Sequence, residues 1–168
     1  MTLEPTVHEF EQVEFCQTRP VLLSTGWRMV RNVEACLVKD PMCLISVPND
    51  KVFKKWLMAV GECGGTLTAG VPVLYEFYAA LKRHGANCSE GMLQEIFKNR
   101  SQLHLARGLI SGVVDAQSRV SFYYAFGILP DHQVVIERFY RHAIIHNLNK
   151  AAIEREALIV TPGVNIAE

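Results

Sequence analysis

Residues 13 to 32, VEFCQTRPVLLSTGWRMVRN, put a thiol, a side-chain amide and three guanidinium groups on two β-rich runs. A cysteine acts as a nucleophile when a base lies beside it, and the nearest histidine, His8, is eight residues away from Cys16. Cys16 is therefore expected to be a buried or half-buried packing residue. Gln17 can donate and accept, while Arg19, Arg28 and Arg31 are suited to phosphate. Lys51, Lys54 and Lys55 add a second cationic group at the start of a helical pattern.

Other constellations carry less chemistry. His142 and His146 stand i, i+4 and share a helix face, a spacing that suits metal chelation. They lie at the margin of an apolar face set by Val135, Ile136, Phe139 and Ala143, with no third ligand on it, so boundary histidines and no metal site are expected. The glycine-rich stretch GECGGTLTAG, residues 61 to 70, lacks the spacing of either phosphate-binding loop. Four aspartates, Asp40, Asp50, Asp115 and Asp131, stand far apart, so the sequence assembles no two-metal phosphoryl-transfer centre and no catalytic residue is assigned.

The 168 residues are 49% hydrophobic and 20% charged, which excludes disordered and collagen-like classes and suits one soluble domain over residues 1–168. No apolar run reaches the roughly 20 residues that span a bilayer, and the acidic start MTLEPTVHEFEQ is unlike a signal or transit peptide. Five scattered cysteines without a C-x-x-C pair read as free thiols of a reducing compartment. Net charge is zero, yet residues 19 to 55 hold seven cations against Glu34, Asp40 and Asp50. Lys82, Arg83, Lys98, Arg100, Arg107 and Arg119 make a second basic stretch, a pattern compatible with a polyanion-facing surface.

The elements that must position these groups divide at about residue 48. Before it, imperfect alternation at Val7, Phe10, Val13 and Phe15, and apolar runs on either side of the Ser24-Thr25-Gly26 break, predict two or three strands. CLVKDPMCLISVP adds short apolar runs cut by Pro41 and Pro48. From Asn49 the period is helical. One helix is capped by Asn49 or Asp50, carries Val52, Phe53, Trp56, Leu57 and Val60, and stops at Gly61 and Gly64-Gly65. A second has Pro72 in its first turn, Leu74, Phe77, Tyr78 and Leu81 on one face, and Gly85 as its end. A short helix at Ser89 to Phe97 and an apolar segment from Leu103 to Val114 follow. The last pair is a helix ending at Gly127 and another N-capped by Asp131. The fold class is α+β, with an antiparallel hairpin region over 1–48 and a helical region over 49–168.

Laid out in this way, three blocks resemble the C-terminal part of the RNA-dependent RNA polymerases of tombusvirus-like plus-strand RNA viruses. The first, FEQVEFCQTRPVLLSTGWRMVRNVEACLVKD, resembles the hairpin called motif E through Phe15, Cys16, Gln17, Pro20, Val21, Trp27, Met29, Val30 and Arg31. The second, FKKWLMAVGECGGTLTAGVPVLYEFYAALKRHG, resembles the thumb through Trp56, Gly61, Glu62, Gly65, Leu67, Thr68, Gly70, Pro72, Phe77, Tyr78, Leu81 and Gly85. The third, RVSFYYAFGILPDHQVVIERFY, resembles the final helical pair. The family's catalytic aspartates, sugar-selecting motif and Gly-Asp-Asp turn are not matched.

The resemblance implies a segment that grips the priming RNA end through Cys16, Gln17, Arg19, Arg28 and Arg31, and extends a basic track through Lys51, Lys54 and Lys55. The partners it implies are an RNA template/primer duplex and the remainder of the polymerase, its fingers and palm. The cofactor it implies is Mg²⁺ or Mn²⁺ held by that palm and not by this chain, which is expected to be inactive alone. It also implies host cytoplasm at membrane-associated replication complexes, with no membrane contact by this chain. A stand-alone RNA- or protein-binding module with a thumb-like fold is the alternative.

Overall fold

The computed structural model describes residues 6–42, 49–86 and 112–145. Two strands, β1 (Thr18–Leu23) and β2 (Gly26–Arg31), pair antiparallel from Thr18 opposite Arg31 to Leu23 opposite Gly26. The turn between them is Ser24-Thr25, and Gly26 takes a φ of 106° that a side chain would oppose. Among the described residues this is a two-stranded sheet, within the expected two or three strands, and Phe10–Gln12 forms a 3-10 turn. Five helices follow among the described residues: α1 (Val33–Lys39), α2 (Asp50–Leu67), α3 (Leu74–His84), α4 (Ala116–Phe126) and α5 (Pro130–His142). The architecture is α+β. The readings at Ser89 to Phe97 and at His146, and most of the Leu103 to Val114 segment, lie outside the described residues.

Capping explains where the helices begin. Asn32 accepts from the Ala35 N–H (3.0 Å), so α1 starts inside the region read as β-rich. Asn49 accepts from the Val52 N–H (3.0 Å) and fixes the first turn of α2. Asp115 and Ser118 form a reciprocal capping box at α4, which Gly127 ends at a φ of 73°. In α5, Pro130 occupies the first helical position and Leu129 is the cap, so Asp131 lies in the first turn and not at the N-cap.

The glycines expected to stop α2 lie inside it. A methyl group on Gly64 would overlap the Tyr78 ring, and one on Gly61 would come within 2.5 Å of the Lys82 amide nitrogen. Gly85 meets Met58 in the same way. These residues bring α2 and α3 so close that packing outweighs the ~1 kcal/mol by which each glycine disfavours helix. One core then joins hairpin and helices: Val21, Leu23 and Val30 from the sheet with Phe53, Trp56, Leu57, Leu74, Phe77, Tyr78, Leu81 and Phe122.

The face of α5 follows its pattern in part, with Ile136 packed against the core and Ala143 buried. Val135 is 63% exposed, whereas Gln133 and Glu137 are buried. Glu137 takes two hydrogen bonds from the Arg119 guanidinium of α4, at 2.9 and 2.8 Å. Its Oε1 also accepts from the N–H of Val73 (3.0 Å), whose φ of 66° is unusual for a β-branched residue. Gln133 donates to the Arg119 and Ile128 carbonyls (3.0 and 2.7 Å), so polar groups join α3, α4 and α5 where the amphipathic pattern called for apolar ones.

Two stability measurements follow. Gly64→Ala should lower the urea unfolding free energy by about 1–3 kcal/mol through overpacking on Tyr78. Gly65→Ala, whose new methyl would lie 3.9 Å from Tyr78, should be neutral or gain up to about 1 kcal/mol in helix propensity. Equal costs at the two positions would refute the close-packing explanation. Glu137→Gln should cost about 3–5 kcal/mol by leaving the Arg119 charge without its partner, and a loss below about 1 kcal/mol would contradict it.

Candidate nucleic-acid interface

Cys16 and Gln17 sit at the end of the ribbon opposite the Ser24-Thr25 turn. Phe15 and Thr18 exchange two backbone hydrogen bonds of 2.9 Å, and the two residues between them have φ of 50° and 62°. This is a two-residue turn of the kind that glycine and asparagine favour, here built from residues that resist it at roughly 1–3 kcal/mol each. The Asn32 N–H holds the Gln17 carbonyl at 2.9 Å. Phe15, Cys16 and Gln17 are all exposed, which corrects the expectation of a buried or half-buried Cys16. A tight turn on a paired ribbon leaves both side chains free while fixing the backbone that carries them.

The three arginines are largely bonded within the protein. Arg19 donates to the Ala125 carbonyl at the end of α4 (2.6 Å) and pairs with Glu14 (3.1 Å). Arg28 donates to the Ala69 carbonyl beyond α2 (3.0 Å), and burial lowers its pKa. Arg31 pairs with Asp40 (2.6 Å), whose other oxygen accepts the hydroxyl hydrogen of Tyr78. The ribbon is tied along its edge as well. The Leu22 N–H donates to Ser121 Oγ of α4 (2.8 Å), which donates in turn to Glu11 (2.8 Å).

The outer edge of β2 carries no strand among the described residues. Trp27 and Met29 project from it, 51% and 48% exposed, and Phe10 packs edge-on against Trp27 with centroids 4.8 Å apart. Large exposed apolar side chains beside an open strand edge are features that contact surfaces share. The residue types gave no sign of this, because half-buried strands also carry aromatic residues.

Lys51, Lys54 and Lys55 share one face in the first two turns of α2, at i, i+3 and i+4. Lys51 and Lys54 are exposed and Lys55 is half-buried; Lys54 pairs with Asp50 at 2.9 Å, a surface ion pair of little stabilising value. The positive end of the helix dipole adds to their field. Among the described residues the lysines share no ion pair or hydrogen bond with the hairpin. No group of three or more His, Cys, Asp or Glu that could hold a metal ion occurs among the described residues. No described helix is long and apolar enough to cross a membrane.

The sequence did not expose the support behind Arg31. Burial, with the nearby Cys36 and Asp40, raises the Tyr78 pKa, and burial raises that of Cys36. Groups whose folded pKa lies above the unfolded value stabilise fully below the unfolded pKa and lose that contribution as pH rises. The unfolding midpoint should therefore decline above pH ~9 to 10, the unfolded values for Cys and Tyr, and Tyr78→Phe should decline less. A midpoint that did not change up to pH ~11 would contradict the burial of these groups.

The chain matches the family model described as viral RNA dependent RNA polymerase over residues 1–147. It is 37% identical over 142 residues to the RNA-directed RNA polymerase of Turnip crinkle virus, covering 82% of this chain and 18% of that protein. With the RNA-directed RNA polymerase of Tobacco necrosis virus (strain D) it is 33% identical over 166 residues, covering 97% of this chain and 23% of the relative. That of Carnation mottle virus is 36% identical over 140 residues, 80% of this chain and 18% of the relative. The chain thus spans about a fifth of the length of these relatives. No solved structure gives a significant match. The 147-residue match and these identities over most of the sequence establish that the chain belongs to the viral RNA-dependent RNA polymerases.

Proposed function

We infer that this chain is the motif E and thumb portion, the C-terminal segment, of a viral RNA-directed RNA polymerase that copies an RNA genome. The observation that carries this reading is the exposed left-handed turn at Cys16 and Gln17 on a ribbon bonded to α4 and to the end of α2. Such a turn sets an amide against a nucleic-acid end with little freedom to move, as positioning requires. Gln17 meets the sugar or phosphate at the priming end, with Cys16 beside it. Arg19, Arg28 and Arg31 hold the ribbon that presents them, with Arg31, the most exposed of the three, within reach of phosphate. Lys51, Lys54 and Lys55 meet the backbone of the nascent duplex.

The rest of the polymerase, its fingers and palm, docks on the open edge of β2 and on Phe10, Trp27 and Met29. In this reading that part carries the aspartates and the Mg²⁺ or Mn²⁺ that nucleotidyl transfer requires, and it supplies the cytoplasmic, membrane-associated setting of replication. The role left to this chain is to hold RNA in register.

Primer extension tests the assignment. The isolated chain with primed RNA, NTPs and Mg²⁺ should give no product. A Turnip crinkle virus polymerase carrying this chain in place of its matching segment should extend the primer, and Gln17→Ala in that chimaera should slow extension about tenfold with an unchanged unfolding midpoint. Extension by the isolated chain, or full activity of the Gln17→Ala chimaera, would refute the roles given to palm and hairpin.

A further inference from the structure

The turn that carries Cys16 and Gln17 is tied to the helical body from behind. Arg31 stands opposite Thr18, the first residue past the turn, so it lies at the turn end of the ribbon. The next residue, Asn32, holds the Gln17 carbonyl through its N–H (2.9 Å) and caps α1 through its side chain. Asp40 closes the same helix as its C-cap, and the Arg31 guanidinium reaches it there at 2.6 Å. At ~1.5 Å per residue the two caps stand about 12 Å apart. Helix α1 is thus a short strut with the ribbon bonded to both its ends.

The far end of that strut is fixed in turn by α3. Asp40 divides its carboxylate: Oδ1 accepts from Arg31, and Oδ2 accepts the hydroxyl hydrogen of Tyr78. Tyr78 is 3% exposed, its ring lies against Gly64 of α2, and the Cys36 thiol of α1 is in hydrogen-bonding contact with its hydroxyl. Burial raises the phenol pKa, so the hydroxyl stays a donor. An arginine and a carboxylate paired only in solvent would orient little. Here the carboxylate is held by a buried phenol, and the guanidinium, with one nitrogen committed to Asp40, has further N–H donors for a ligand.

We propose that Asp40 and Tyr78 are positioning residues for the priming RNA end, acting through Arg31 and Asn32 to set the Gln17 turn at a fixed place relative to α2 and α3. The assignment deepens the polymerase reading and rests on it for what the turn meets. Neither residue touches the RNA; their effect is on where Gln17 and Arg31 stand.

Two measurements test it. In the 168-residue chain, amide hydrogen exchange read by NMR compares the Thr18 and Asn32 N–H groups, which close the turn end, with that of Leu22, held by Ser121. Asp40→Asn should speed exchange at Thr18 and Asn32 about tenfold and change Leu22 less than about twofold. Tyr78→Phe, which keeps the ring on Gly64, should give the same pattern at smaller amplitude. Glu76→Gln, which breaks the pair that α3 makes with Arg141, should leave all three rates unchanged. In the Turnip crinkle virus chimaera, Asp40→Asn should lower kcat for primer extension about fivefold with KM for primed RNA within about twofold, and should cost nothing further once Gln17→Ala is present. Equal acceleration at all three amides, acceleration at none, or losses that multiply in the Asp40→Asn, Gln17→Ala double variant would overturn the proposal. An inactive chimaera would refute the polymerase reading and with it the RNA role, whereas the exchange pattern separately sustains or overturns the coupling of Asp40 to the turn.

Discussion

The carboxylate of Glu137 is the point on which the helical body depends. It is buried, it takes both hydrogen bonds of the Arg119 fork, and it accepts the N–H of Val73 at the start of α3. A charge in that position is tolerated only because its partner is fully engaged. In return it fixes where α3 begins. Once α3 is placed, Tyr78 and Lys82 fall opposite Gly64 and Gly61, and α2 can approach only because those positions have no side chain. The approach of α2 to α3 along Gly61 and Gly64 thus depends on a contact made at the start of α3.

Arginine is used repeatedly in this fold to finish helices. A helix leaves its last carbonyls short of partners, and arginines from elsewhere reach three carbonyls at or just past helix ends: Ala125 of α4 by Arg19, Tyr140 of α5 by Arg83, and Ala69, just beyond α2, by Arg28. Two of the three reach from the hairpin, so the ribbon and the helical body are bonded together as well as packed. This accounts for a hairpin of two short strands, marginal on its own, holding a strained turn at its exposed end. The turn is supported by the ribbon, and the ribbon by the ends of helices.

Much of this was legible in the residues. The two strands, the Asn49 cap, the apolar face of α3 and the Gly127 stop follow from local chemistry, and the structure has each of them. The rest depended on partners distant in the chain. Gly61 and Gly64 read as a stop because a glycine's local cost is visible in sequence, while Tyr78 waiting on another helix is not. The polar part of α5's inward face was hidden for the same reason: Gln133 and Glu137 are buried against partners such as Arg119 and Val73 that lie far off in the chain. For the candidate site, the residue types pointed to phosphate but could not say which cations the fold would spend on itself. Arg28 and Lys51 look equivalent in sequence; one faces a carbonyl and the other faces solvent.

That division of labour between inward arginines and outward lysines is the central claim, and Arg28→Gln tests it most directly. Its thermal unfolding midpoint and the salt dependence of its RNA-duplex affinity should be measured on the same preparation. The account predicts a lower midpoint, from loss of the bond to Ala69, with the salt slope of the unaltered chain. An unchanged midpoint with a shallower salt slope would mean that Arg28 meets phosphate, and would contradict it.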